Sequence, residues 1–117
     1  MNKNINKRNL GAEKEQMAAE FLEKQGYRIL EKNFRCRQGE IDLIAKDGRY
    51  LVFVEVKYRA DGRSGEPEEA VDASKQYVIR RVAAYYLYRN RLPESTPCRF
   101  DVVGIKGEEI RLTKNAF

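Results

Sequence analysis

Gly39-Glu40-Ile41-Asp42-Leu43-Ile44-Ala45 and Val52-Phe53-Val54-Glu55-Val56-Lys57 place three carboxylates and one ammonium in two strand-like runs. Asp47 and Gly48 lie between them, and Asp-Gly flanked by such runs is a strong hairpin signal. A turn centred on that dipeptide pairs Lys46 with Arg49, Asp42 with Phe53 and Glu40 with Glu55. Strand alternation then gives one apolar face, Ile41, Leu43, Ala45, Val52, Val54 and Val56. The other face carries Glu40, Asp42, Ile44, Leu51, Phe53, Glu55 and Lys57. Carboxylates half buried beside Ile, Leu and Phe repel one another and are costly to desolvate. A divalent cation offsets both costs: Mg²⁺ or Mn²⁺ takes oxygen ligands from one or two carboxylates, keeps several waters and can activate one toward a phosphodiester. Lys57, roughly 6.6 Å along the same face from Glu55, can orient that water or stabilise charge developing on the phosphate. The alternative is a set of exposed edge carboxylates with Lys57 in a surface ion pair of ~0.2–1 kcal/mol.

Other chemistries lack their residues. The 117-residue chain has no histidine, which excludes Ser-His-Asp and Cys-His nucleophilic systems and histidine-bound metals. Cys36 and Cys98 have no C-x-x-C spacing and are expected to be buried thiols of a reduced cytoplasm. The stretch Val82–Tyr88 is the longest uncharged apolar run, far short of the ~20 residues of a membrane helix. No phosphate-cradling glycine loop is present.

The elements that must carry the acidic strands follow from periodicity. Residues 1–9 are polar and basic and are expected to form a flexible arm, with residues 10–117 as a single domain. Leu10, Met17, Ala18, Phe21 and Leu22 recur at helical spacing up to Gly26, a stop signal. Tyr27 to Phe34 reads as a strand, followed by the two strands of the hairpin. Pro67 fits the first turn of a long helix running to about Arg91, and Cys98 to Ile105 and Glu109 to Leu112 read as further strands. A helix crossover between the third and fourth strands makes that pair parallel, so the chain is expected to be α/β with a mixed sheet flanked by helices. On the first helix Glu15 falls at the edge of the Ala18 and Leu22 side and reaches the acidic face if the helix packs there. On the second, Lys75 sits beside the stripe Val71, Val78, Val82 and Tyr85 and borders the same region.

Lys and Arg number 23 against 18 Asp and Glu, a net charge of +5. Between Lys75 and Arg99 stand six basic residues and one acid, Glu94, interleaved with Tyr77, Tyr85, Tyr86 and Tyr88. That composition suits phosphate contacts and base stacking. Arg35 and Arg37 precede the acidic strands and Arg59 and Arg63 follow them. With Lys75, Arg80 and Arg81 they make the candidate nucleic-acid surface, reading shape or backbone rather than sequence.

The Gly-Glu-Ile-Asp run, the Glu55-Val56-Lys57 triplet, Gly11, Glu15 and Ala18, Gly26-Tyr27-Arg28-Ile29-Leu30, Asn33-Phe34-Arg35, Lys75 and Arg99-Phe100-Asp101-Val102-Val103 together resemble the YraN-like bacterial family. They look like the core of the PD-(D/E)-x-K nuclease superfamily, which includes archaeal Holliday-junction resolvases. The resemblance implies a restriction-endonuclease-like α-β-β-β-α-β core with a short final strand. It implies Mg²⁺ or Mn²⁺ bound by Asp42, Glu55 and the Val56 carbonyl, with Lys57 acting on water or phosphate and Glu15 completing the site. Glu40 and Lys75 are lesser candidates. Lys14, where the family often has a second glycine before Glu15, departs from the pattern. The expected activity is metal-dependent hydrolysis of nucleic acid, DNA above all, by a structure-selective endonuclease; the alternative is a non-catalytic nucleic-acid-binding module. One chain holds one such site, so paired cuts on two strands need a homodimer.

Overall fold

The computed structural model describes residues 3–59 and 71–117, with side chains from Leu10 onward. Helix α1 spans Lys3–Lys24, so it begins upstream of Leu10, where the apolar spacing starts. Its end is set by Gly26. With φ +96 this residue turns the chain left-handed, and Gly26 N–H bonds Glu23 O while Tyr27 N–H bonds Leu22 O, closing the last turn in a Schellman arrangement. Strands β1 (Arg28–Cys36), β2 (Gly39–Asp47) and β3 (Tyr50–Arg59) follow, then helix α2 (Ala73–Arg89), β4 (Cys98–Lys106) and β5 (Glu109–Thr113). Pro67 lies outside the described residues. Helix α2 starts at Ala73 because Asp72, in extended conformation, caps it by accepting the Lys75 N–H at 2.8 Å.

The five strands lie in the order β1-β2-β3-β4-β5. All neighbours are antiparallel except β3 and β4, which are parallel as the crossover through α2 requires. Alternation sorts the sheet into two faces. Leu43, Ala45, Val52, Val54, Val103 and Ile105 pack under Ala18, Ala19 and Leu22 of α1. Ile44, Leu51 and Phe53 pack under Ile79, Val82, Ala83 and Tyr86 of α2. The helices therefore cover opposite faces, giving three layers. The buried stripe of α2 is displaced from the one expected, because Val71 precedes the cap and Val78 and Tyr85 lie at its margin.

Two corrections concern the hairpin. The turn residues are Gly48 and Arg49, not Asp47 and Gly48, so Asp47 pairs with Tyr50, Ile44 with Phe53 and Leu43 with Val54. Gly48 supplies the positive φ (+59) that opens the turn. Asp47 stays in the ladder, where its carboxylate meets Arg99 at 2.7 Å and Lys114 at 3.6 Å. This slip leaves the division into faces unchanged but moves every cross-strand partner by two. The second correction is Ile41, which packs with the α2 side rather than with Leu43 and Ala45. Asn33, at φ +52, breaks alternation in β1. Lys32 accordingly reaches Gln16 of α1, whereas Phe34 turns toward Tyr86, and Ile41, opposite Phe34, turns with it. Both cysteines are free and half-buried rather than buried.

Candidate active site at the fork of β2 and β3

The β2–β3 ladder ends at Leu43↔Val54. Beyond it, residues 39–41 of β2 continue along β1, while Glu55 to Arg59 of β3 continue along β4. The two strands part where Asp42 and Glu55 stand opposite. Asp42 occupies the fork itself: its Oδ2 accepts the Val56 N–H at 2.8 Å, replacing the ladder bond that separation removes. Glu55, only 7% exposed, lies beside Asp42, near enough for the two charges to act on each other. Lys57 Nζ and Lys75 Nζ lie 3.8 and 3.7 Å from the same Glu55 oxygen, Oε1.

Burial and the neighbouring Asp42 charge push the Glu55 carboxyl up to about 7, against the pull of Lys75 and Lys57. Burial also raises Asp42, opposed by the Val56 N–H. Both carboxyls of the pair are therefore harder to ionise than free ones, and they titrate as a coupled unit. Glu15, half-buried on α1, is raised by burial and then by Asp42. It approaches from the opposite face. Helix α1 packs against the Val52 and Val54 side and not on the Glu55 side, so Glu15 meets Asp42 through the opened end of the hairpin, in a groove shared with Gln16, Lys32, Arg35 and Glu40. A second opening, lined by Lys14, Glu15, Asp42, Val56 and Tyr58, carries the Lys14 ammonium 4.3 Å above the Tyr58 ring.

Glu40 does not join the pair. The register slip removes it from Glu55, and it bonds Arg35 across β1 and β2 at 3.1 Å on the surface. Among the described residues no group of three or more Cys, Asp and Glu side chains is close enough to hold a metal ion. The donor set is therefore two carboxyls, Asp42 and Glu55, with Glu15 beside them. A hard divalent ion that keeps most of its waters needs no more than one or two carboxylates, so these residues suit such an ion once Glu55 has lost its proton.

The basic residues disperse over several surfaces. Arg35 borders the α1-side groove. Arg37 and Arg81 share a groove with Gln38, Tyr77 and Val78. Arg80 lies 4.8 Å over the Phe100 ring, and Arg59 is half-buried at the end of β3, donating to the Tyr58 carbonyl. Arg63 lies outside the described residues. Tyr86 is core, edge-on to Phe34 and Phe53, whereas Tyr77 and Tyr88 are exposed. Arg99 is not available to a polyanion: it bonds Asp47 at 2.7 Å and the fully buried Asp101 at 2.9 Å. Asp101 also accepts from Tyr27 Oη at 2.7 Å and from Asn115 N–H at 3.0 Å. The Arg99-x-Asp101 spacing, same side of one strand, was the available signal for this network.

A three-layer α/β protein with a buried carboxyl pair at a strand fork, flanked by lysines, is the class that fold and site define. The model of the uncharacterised protein family UPF0102 matches residues 14–105. The chain belongs to that family, the YraN-like one its motifs resemble. A UPF0102 protein of Lachnoclostridium phytofermentans is 59% identical over 97% of this chain and 96% of its own length. Those of Symbiobacterium thermophilum and Caldicellulosiruptor saccharolyticus are 53% and 48% identical, over 94% and 97% of this chain and 97% and 100% of their own lengths. No helix among the described residues is long and apolar enough to cross a membrane.

Proposed function

We propose that this chain is a metal-dependent phosphodiesterase of nucleic acid, a structure-selective DNA endonuclease on a restriction-endonuclease-like PD-(D/E)-x-K core, working in the cytoplasm. The observation that carries the reading is the placing of Asp42 on the Val56 N–H next to the buried Glu55 at the fork, with Lys57 on the Glu55 carboxylate. Asp42 and Glu55, with the Val56 carbonyl nearby in sequence, would hold Mg²⁺ or Mn²⁺. When bound, such an ion supplies an acidified water and a counter-charge for the phosphate. Lys57 then orients the nucleophile or meets the charge gained by the phosphate oxygens. Lys75, on the same Glu55 oxygen, favours the ionised form against the burial and the Asp42 charge that oppose it. Glu15 holds solvent at the α1-side opening. Two strands cut at one locus require two chains.

A second reading is favoured by one feature: Asp42 already satisfies the Val56 N–H and Glu55 already has two lysines. A site so complete in itself fits a nucleic-acid-binding module that does no chemistry. The test is incubation with linear, flapped and four-way DNA and with single-stranded RNA, in Mg²⁺, Mn²⁺ or EDTA, beside Asp42→Ala. Cleavage that requires metal and vanishes in Asp42→Ala supports the enzyme. Equal binding without cleavage by either protein selects the binding module.

A further inference from the structure

We propose that the groove between the β1–β2 turn and α2 is a stacking subsite for an unpaired nucleotide, lying beside the fork rather than in it. This rests on the nucleic-acid reading above and adds what part of the substrate is gripped. The groove is lined by Arg37, Gln38, Tyr77, Val78 and Arg81. No carboxylate is among these lining residues, taken over the described residues, and their charge complements a phosphate backbone. Tyr77 is 62% exposed, so its ring is open to a ligand. It is nonetheless oriented: Arg81, one turn along α2, donates to Tyr77 Oη at 3.3 Å, and its guanidinium lies 5.7 Å from the ring centroid.

An oriented aromatic face with cations at its margin is what a base needs when it has left its own stack, and such stacking is sequence-tolerant. Bases inside a continuous duplex have both faces covered, so Tyr77 discriminates by strandedness. The groove is also held against the start of β2. Val78 packs so closely over Gly39 that a Cβ there would come within 2.6 Å of it. Asp42 stands four positions after Gln38, ~13 Å along extended chain, and Tyr77, about 200° round α2 from Lys75, lies on the flank away from it, whereas Lys75 touches Glu55. The gripped nucleotide is therefore not the one whose phosphate meets the carboxyls.

The test measures affinity by fluorescence anisotropy, in EDTA to prevent cleavage, for a short oligothymidine, for its uridine counterpart, and by competition for a relaxed, covalently closed duplex circle. Tyr77→Ala should weaken oligothymidine binding by about tenfold and leave the circle unchanged, while Tyr77→Phe retains most of the affinity. The variant keeps its fold because the side chain is exposed, and circular dichroism checks this. A parallel loss with the uridine oligomer extends the subsite to RNA; retention there confines it to DNA. If the wild type binds both DNA forms and Tyr77→Ala weakens neither or both alike, the subsite is wrong and the nuclease reading stands. If the wild type binds no nucleic acid, both fail.

Discussion

At the scale of single residues, the fork makes Glu55 a titrating group within the ordinary working range. Its carboxyl is held near 7 by burial and by Asp42, against an unfolded value of 4.5. Between those pH values the folded chain binds a proton that the unfolded chain has released, so stability falls as pH rises from about 4.5 to 7 and is flat above. Asp42 and Glu15 are shifted in the same direction and add to the slope. Glu55→Gln keeps the shape and the hydrogen-bonding capacity but cannot ionise. It should be more stable than the wild type at pH 8 by on the order of 1–3 kcal/mol and about equal to it at pH 4.5. Urea midpoints across pH 4.5–8 check this, and a variant less stable than wild type at pH 8 would mean that Lys57 and Lys75 outweigh burial.

At the scale of elements, what could be read in advance was periodicity, and what could not was anything set by one backbone angle. The strands, the parallel β3–β4 pair and the half-buried placement of Glu15 follow from alternation, crossover length and helical spacing. The partner of Glu55 did not, because a two-residue turn can centre on Asp47-Gly48 or on Gly48-Arg49, and only the second sets Asp42 against Glu55. Nor did the turning of Ile41 to the α2 side, which depends on Asn33 at φ +52. Gly39 belongs to the same class. It reads as the first residue of a strand-like run, yet φ is +148 and a Cβ would meet Val78 Cγ1 at 2.6 Å. Gly39→Ala should therefore cost about 1–3 kcal/mol from overpacking with backbone strain in addition. Adding Val78→Ala should restore the overpacking part and leave the strain, a double-mutant cycle read by denaturant unfolding. Additive losses would show that the helix does not rest on the turn.

At the scale of the whole molecule, the sheet has a structural end and a chemical end. The Arg99, Asp101, Tyr27 and Asp47 network ties the hairpin turn, β4 and Asn115 together over the α1 side. Asp101 is fully buried, so Asp101→Ala leaves Arg99 with the Asp47 carboxylate and takes the acceptor from Tyr27 Oη and Asn115 N–H, and should destabilise by about 3–5 kcal/mol, whereas Tyr27→Phe, losing one hydrogen bond to that carboxylate, should cost about 1–3 kcal/mol. Thermal unfolding of the two variants separates these values. Arg37 and Arg81 open onto the groove beside β1 and β2, while Arg111, on the opposite edge strand β5, is engaged with Glu109 at 3.1 Å. If binding is localised at the chemical end, removing a guanidinium there leaves one phosphate unneutralised and its counterions in place. The slope of log affinity against log salt should then shrink by about 0.7–0.9 in Arg37→Ala and in Arg81→Ala, and stay unchanged in Arg111→Ala. Equal changes in all three would mean that the polyanion responds to net charge alone and that the fork has no privileged approach.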